Sequence, residues 1–236
     1  MRVAAEAALK DGRIGYGEAL GDITLRSQIA AHYHTRYGVT ITPDRVIATT
    51  GSSGGFLLAL TAAFDPGARI AVTAPGYPAY ANILSALGLE AVALPVGPET
   101  RFAPTAEALA AAHRQKPIQG ALFMSPANPT GAMISSEELA RICAFCDEAG
   151  ITFISDEIYH GLEYEAPAQT ALRFTSNAII VNSFSKYYAM TGWRLGWLVA
   201  PQTLMRPLER LQQSLAICAP TDRKSTRLNS SHVKRS

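Results

Sequence analysis

The sequence predicts an α/β fold in which a central, mostly parallel sheet carries helices on both faces. Three observations predict it. Short apolar runs of strand length alternate with segments of helical period. Several of the turns between them are rich in Gly, Pro and Ser, as in GSSGG and SPANPTGA. The composition, 48% hydrophobic and 17% charged over 236 residues, is ample for a buried core.

Each element has its own signal. Residues 1 to 10 read as a helix of Ala-rich spacing that stops at Asp11-Gly12. A second helix is capped by Gly21 or Asp22, turns Ile23, Leu25, Ile29 and Tyr33 to the core, and ends at Gly38. RVIATT is a short strand, and the small-residue turn GSSGG leads it into the helix FLLALTAAF, which closes at Asp65-Pro66-Gly67. RIAVTAPGYPAY is a strand ending in a proline-bounded turn, with Tyr77 at the strand end. The helix ANILSALG, the strand EAVALPV, the helix PTAEALAAAHRQ and the strand GALFM continue the alternation. After the turn SPANPTGA, Ser135 or Ser136 caps the helix EELARICAFCDEAG, which ends at Gly150. ITFIS, AIIVNS and LGWLVAP are further strands, and a helix starting near Pro201 stops at Ala219-Pro220.

Composition also excludes. The formal charge of +2 comes from the basic stretch after Pro220, so residues 1 to 221 are mildly acidic and nothing in them points to nucleic acid. No apolar run reaches the length of a membrane span, and the start MRVAAEAALKDGR lacks the layout of a signal peptide, so a cytoplasmic protein is expected. Cys143 and Cys146 form a C-x-x-C with no second pair, and with Leu139 and Ile142 they follow helical spacing, which reads as core rather than zinc site. His32 and His34 stand two apart on a helix and point to different faces, so they do not chelate together.

The chemistry concentrates in VNSFSKYYAMTGWRLGW, residues 181 to 197. An apolar strand delivers Ser183, Ser185 and Lys186, and Arg194 follows eight residues after the lysine. A guanidinium and a hydroxyl hold a phosphate dianion, while a partly desolvated lysine loses its proton more easily and attacks a carbonyl to form a Schiff base. An aldehyde that carries a phosphate suits both, and pyridoxal 5'-phosphate (PLP) is the obvious candidate. Ser52 and Ser53 lie where a strand meets a helix N-terminus, a layout that serves either anion binding or tight packing.

This stretch resembles the cofactor-lysine motif of the class I/II aminotransferases, the aspartate aminotransferase-like PLP enzymes of fold type I. The order of further motifs agrees: Tyr16 with Gly21, Leu25 and Arg26; Tyr77 after a strand; Asn128-Pro129-Thr130-Gly131; and Asp156 with Tyr159. The resemblance implies a fold-type-I large domain over residues 1–200, the start of a helix toward a small domain over 201–220, and a non-native or disordered tail over 221–236. It implies that Lys186 anchors PLP and moves the substrate proton, and that Asp156 meets the pyridine nitrogen. Asn128 and Tyr159 reach the phenolic oxygen, Tyr77 stacks on the ring, and Ser52, Ser53, Ser183 and Arg194 hold the phosphate. Tyr16 completes that phosphate site in a neighbouring subunit, so a homodimer is expected.

The implied reaction is amino-group transfer between an amino acid and a 2-oxo acid. A β-eliminating lyase and the PLP-sensing domain of a transcription regulator use the same cofactor residues and stay open as alternatives. Family members run longer at both ends, and the arginine that holds the substrate carboxylate has no counterpart here, so a truncated fragment is expected.

Overall fold

The computed structural model describes Glu6, Ala7, Lys10, residues 15–164 and residues 166–220. Glu6, Ala7 and Lys10 are helical; the rest of the helix expected over 1 to 10, its stop at Asp11-Gly12 and the tail 221–236 lie outside the described residues. Among the described residues seven strands are formed: β1 (Val46–Thr49), β2 (Arg69–Ala74), β3 (Glu90–Pro95), β4 (Gly120–Met124), β5 (Thr152–Asp156), β6 (Ile179–Ser183) and β7 (Gly196–Val199). Besides the helical Glu6, Ala7 and Lys10, the described residues form the α-helices α1 (Ile23–Tyr37), α2 (Gly51–Ala63), α3 (Pro78–Ala86), α4 (Ala106–Gln115), α5 (Ser136–Ala149) and α6 (Gln202–Leu215).

The strands join in one sheet in the order β1-β7-β6-β5-β4-β2-β3. β3, β2, β4, β5 and β6 run parallel, while β7 is antiparallel to both of its neighbours. The apolar sequences of β1, β4, β5, β6 and β7 are buried on both sides, as a covered sheet requires, whereas the edge strand β3 is largely exposed. Alternate residues feed two cores: Phe123, Phe153, Ile180 and Trp197 face α1, α4 and α5, whereas Leu122, Ile154, Val181 and Leu198 face α2, α3 and α6. Each fully buried side chain of this size contributes about 1.5–3 kcal/mol.

The caps follow local chemistry. Asp22 accepts from the Thr24 amide at 2.9 Å, Thr105 from Ala108 at 3.1 Å and Ser135 from Glu138 at 3.2 Å. Gly38 and Gly150 end α1 and α5 in the left-handed region, with φ of 68° and 66°. Cys143 and Cys146 are buried in the core, as their spacing predicts.

Three expectations are corrected. Ile23 is 46% exposed, and the buried stripe of α1 takes up Arg26 instead, whose guanidinium is needed by the carbonyls of Gly21 and Pro43 at 3.0 and 3.1 Å. GSSGG is not a turn ahead of a helix; α2 begins at Gly51, so Ser52 and Ser53 are in its first turn. Likewise α3 begins at Pro78, because proline is pre-set for a first helical position, which makes Tyr77 a helix N-cap rather than the last residue of a strand.

Candidate active site

The parallel strands end on one edge of the sheet, and β7, running the other way, begins there. Thr49 and Ser183 both pair with Gly196, Met124 pairs with Asp156, and Asp156 with Val181. This register brings the segments after β1, β4, β5 and β6 together with the segment before β7. Residues as far apart in sequence as Ser52 and Arg194 thereby share one rim, the usual ligand position of an open α/β sheet.

One end of the rim is built for an anion. Arg194 lies over the N-terminus of α2, so close that a Cβ at Gly51 would stand 2.5 Å from its Nη2. Arg194 is exposed, adopts φ 48°, and donates from Nη1 to the Thr191 carbonyl at 3.0 Å, which fixes the guanidinium from behind. Half-buried Ser52 and exposed Ser53 add the first-turn amides and hydroxyls of α2, where unpaired N–H groups and the helix dipole favour negative charge. Gly196 permits this approach, since a Cβ there would lie 2.9 Å from the Ser52 nitrogen.

Ser183 is 1% exposed and serves the loop. Its Oγ accepts from the Ser185 amide at 3.0 Å, meets Ser185 Oγ at 2.8 Å and donates to the Leu195 carbonyl at 3.0 Å. The hydroxyl therefore braces the segment between Lys186 and Arg194, and the direct donor role expected for it requires it to turn.

The centre of the rim holds a buried carboxylate. Asp156 is 1% exposed; its Oδ1 accepts from the Ile158 amide at 3.1 Å and its Oδ2 from the Tyr80 hydroxyl at 2.5 Å. Burial pushes the Asp156 carboxyl up to about 6, against the pull of these two donors. Such a group is a strong partner for a cationic ring nitrogen, because an unpaired charge there is costly. The Ser125 amide donates to the Asp156 carbonyl at 3.2 Å, which ties the start of the Asn128 turn to the same place. Asn128 is half-buried, and its backbone N–H donates to Met124 Sδ at 3.2 Å.

Lys186 stands beside Tyr159, with Nζ 5.7 Å from the ring centroid. The partial desolvation expected of this lysine is not supplied by the described residues, since the side chain is exposed on the rim. The next residue, Tyr187, lies where a Cβ on Gly161 would be, and φ of 98° at Gly161 makes glycine the suitable residue there. Tyr77 is 38% exposed and packs edge-on against Tyr80, with centroids 5.4 Å apart. Tyr16 is 83% exposed.

Sequence reasoning missed two features. Tyr80 bonds to Asp156 across the sheet edge, and its only signal is a second tyrosine three residues after Tyr77. Glu157, left without a role by its sequence context, is 1% exposed; Oε1 accepts from Thr170, Ala171 and Ser155, while Oε2 lacks a partner and lies 3.6 Å from His160 Nδ1. A cleft of about 1050 Å³, whose lining includes Arg101, Pro126, Met133, Glu138, Tyr164 and Gln169, is lined by none of the candidate residues.

Known proteins resemble this chain in sequence and in fold. The family model "Aminotransferase class I and II" matches residues 1–228. Valine–pyruvate aminotransferase of Mycobacterium tuberculosis is 54% identical over 222 residues, covering 93% of this chain and 57% of that protein. A (5-formylfuran-3-yl)methyl phosphate transaminase of Methanocaldococcus jannaschii is 37% identical, with 91% and 55% covered. The crystal structure of an aminotransferase from M. tuberculosis superposes with a TM-score of 0.91 at 54% identity, covering 95% of this chain and 58% of that one. Aspartate aminotransferase from Thermus thermophilus with maleate superposes with the same TM-score at 28% identity, with 95% and 59% covered. The chain thus spans little more than half the length of these relatives. By its sequence match and its fold, it belongs to the class I and II aminotransferases.

Proposed function

We propose that the chain is the cofactor-binding part of a PLP-dependent aminotransferase that moves an amino group between an amino acid and a 2-oxo acid. The observation that carries this reading is that three unlike groups share one rim: an anion cradle at Arg194 and α2, a lysine at 186, and a buried carboxylate at Asp156. PLP has a matching phosphate, aldehyde and ring nitrogen, so the residues fit it. When bound, it supplies a carbonyl that accepts the amine and an electron-poor ring that delocalises the electron pair left at the α-carbon.

The chain's own groups do the rest. Arg194, Ser52 and Ser53 would bind the phosphate, with Ser183, once its hydroxyl turns from the Leu195 carbonyl, and the partner copy's tyrosine at position 16 completing the set in a homodimer. Asp156 keeps the ring nitrogen protonated. Asn128 and Tyr159 would orient the phenolic oxygen, and Tyr77 would pack against the ring. Lys186 Nζ is the covalent anchor and then, once released, takes the proton from the α-carbon and returns it on the other side of the transfer.

Relatives named as aminotransferases favour transfer over elimination or sensing, and valine with pyruvate is the pair to assay first. A cytoplasmic location is consistent with the described residues, in which no helix is long and apolar enough to cross a membrane. The test is to add PLP to the purified chain, reduce with borohydride and map the labelled peptide. Labelling at Lys186, absent in Lys186→Ala, is expected; labelling spread over other lysines, or unchanged in Lys186→Ala, overturns the assignment.

A further inference from the structure

Tyr80 touches three parts of the rim at once. It begins in the first turn of α3, is 4% exposed, and donates its hydroxyl proton to Asp156 Oδ2 at 2.5 Å. Its ring meets Tyr77 edge-on at 5.4 Å and Phe56 of α2 at 5.3 Å. The α2 helix carries the anion cradle at its N-terminus, and Tyr77 is the stacking candidate. A charge-assisted bond of this length, formed away from water, has a strong directional preference.

We infer that Tyr80 is a positioning residue for the cofactor's ring nitrogen: its hydroxyl fixes the rotamer of the Asp156 carboxylate and holds that carboxylate ionised. The inference rests on the functional reading above. With Oδ2 occupied by Tyr80 and Oδ1 by the Ile158 amide, the carboxylate cannot rotate without breaking one of its two bonds. Its ionised form is thereby favoured in a place where burial opposes it. The other titratable groups around this pair are Glu157, next in the chain, and the Tyr77 and Tyr159 phenols. None of them donates a hydrogen bond to Asp156 among the described residues, so the stabilising side-chain donor is Tyr80.

A buried tyrosine hydroxyl needs a partner in any fold, so the bond alone is compatible with a purely structural role. Two readouts separate the roles. The first is the titration of the Asp156 carboxyl in the chain without PLP, followed by carbon-13 NMR and assigned with Asp156→Asn. Tyr80→Phe keeps the ring and removes the donor, so the titration is expected to move upward. Should the phenylalanine variant fail to fold, 3-fluorotyrosine at position 80 keeps ring and hydroxyl, strengthens the donor, and is expected to move it downward.

The second readout is PLP dissociation in a double-mutant cycle. Tyr80→Phe should weaken PLP binding about tenfold, as loss of a hydrogen bond to a charged group does. In an Asp156→Asn background the same change should have no further effect. A titration that stays in place, or an equal loss of affinity in both backgrounds, overturns the role of Tyr80 while leaving the cofactor reading intact. If the wild-type chain does not take up PLP on Lys186, the functional reading falls first and this inference with it.

Discussion

Gly51 and Arg194 are in contact, the guanidinium filling the space where any other residue at position 51 would place its Cβ. Gly51 also adopts φ of 70°, so two independent demands meet at one residue. The first helical turn of α2 is brought under the arginine by a glycine, and the anion site depends on it.

Gly51→Ala is therefore expected to displace Arg194 and to cost about 1 kcal/mol or more of stability through the strained φ. Binding should weaken selectively. Titration with PLP should show a loss of about tenfold or more, while pyridoxal, which lacks the phosphate, binds the variant and the wild type alike. An equal loss for both ligands would place Gly51 outside the anion site.

Arg194→Lys keeps the charge and gives up the planar fork. PLP affinity should fall by roughly tenfold or more in this variant and further in Arg194→Ala, with pyridoxal again unaffected. Full affinity in the lysine variant would mean that charge alone, not geometry, holds the anion.

Burial pushes the Glu157 carboxyl up to about 8 from 4.5, so the folded chain keeps a proton there that the unfolded chain releases above pH 4.5. Between these values stability falls as pH rises, by up to about 1.4 kcal/mol per pH unit for this one group. Glu157→Gln removes the titration. Denaturant melts from pH 5 to 8.5 should show the variant gaining on the wild type as pH increases; parallel profiles would refute the assignment.

His160 has the opposite sign. Its imidazole is buried, bonded to the Tyr37 hydroxyl at 2.8 Å, and desolvation pushes it down to about 3 from 6.5. The unfolded chain takes up a proton below pH 6.5 that the folded chain refuses until about 3, so stability is lost as pH falls through that window. His160→Gln should start less stable at pH 7.5, having lost its packing, yet decline less steeply between pH 6.5 and 4. Between 4.5 and 6.5 the Glu157 and His160 slopes oppose each other, so each variant is read against the wild type rather than alone.

Cysteine labelling distinguishes the two cysteine environments. Cys143 and Cys146 are buried and their thiols are pushed up to about 12 by desolvation, whereas Cys218 is half-buried. Iodoacetamide at pH 8 should modify Cys218 first and leave the C-x-x-C pair unlabelled until the chain unfolds. Rapid labelling of the pair, or its protection by added zinc, would contradict the core reading.

The sequence by itself determined whatever acts over a few residues. Helical period, the caps at Asp22 and Ser135, and the glycines at 38 and 150 that end helices act within one turn, so they are written in local order. The lysine segment was legible for the same reason: Ser183, Lys186 and Arg194 belong to one strand, loop and strand. Tertiary structure decided the rest. That β7 runs against its neighbours, that Arg194 closes on Gly51, that Tyr80 meets Asp156 and that Glu157 is sealed beside His160 all depend on which strand lies next to which. A contact between residues distant in sequence is fixed by sheet order and by the burial that order imposes, and no local pattern of side chains carries that information.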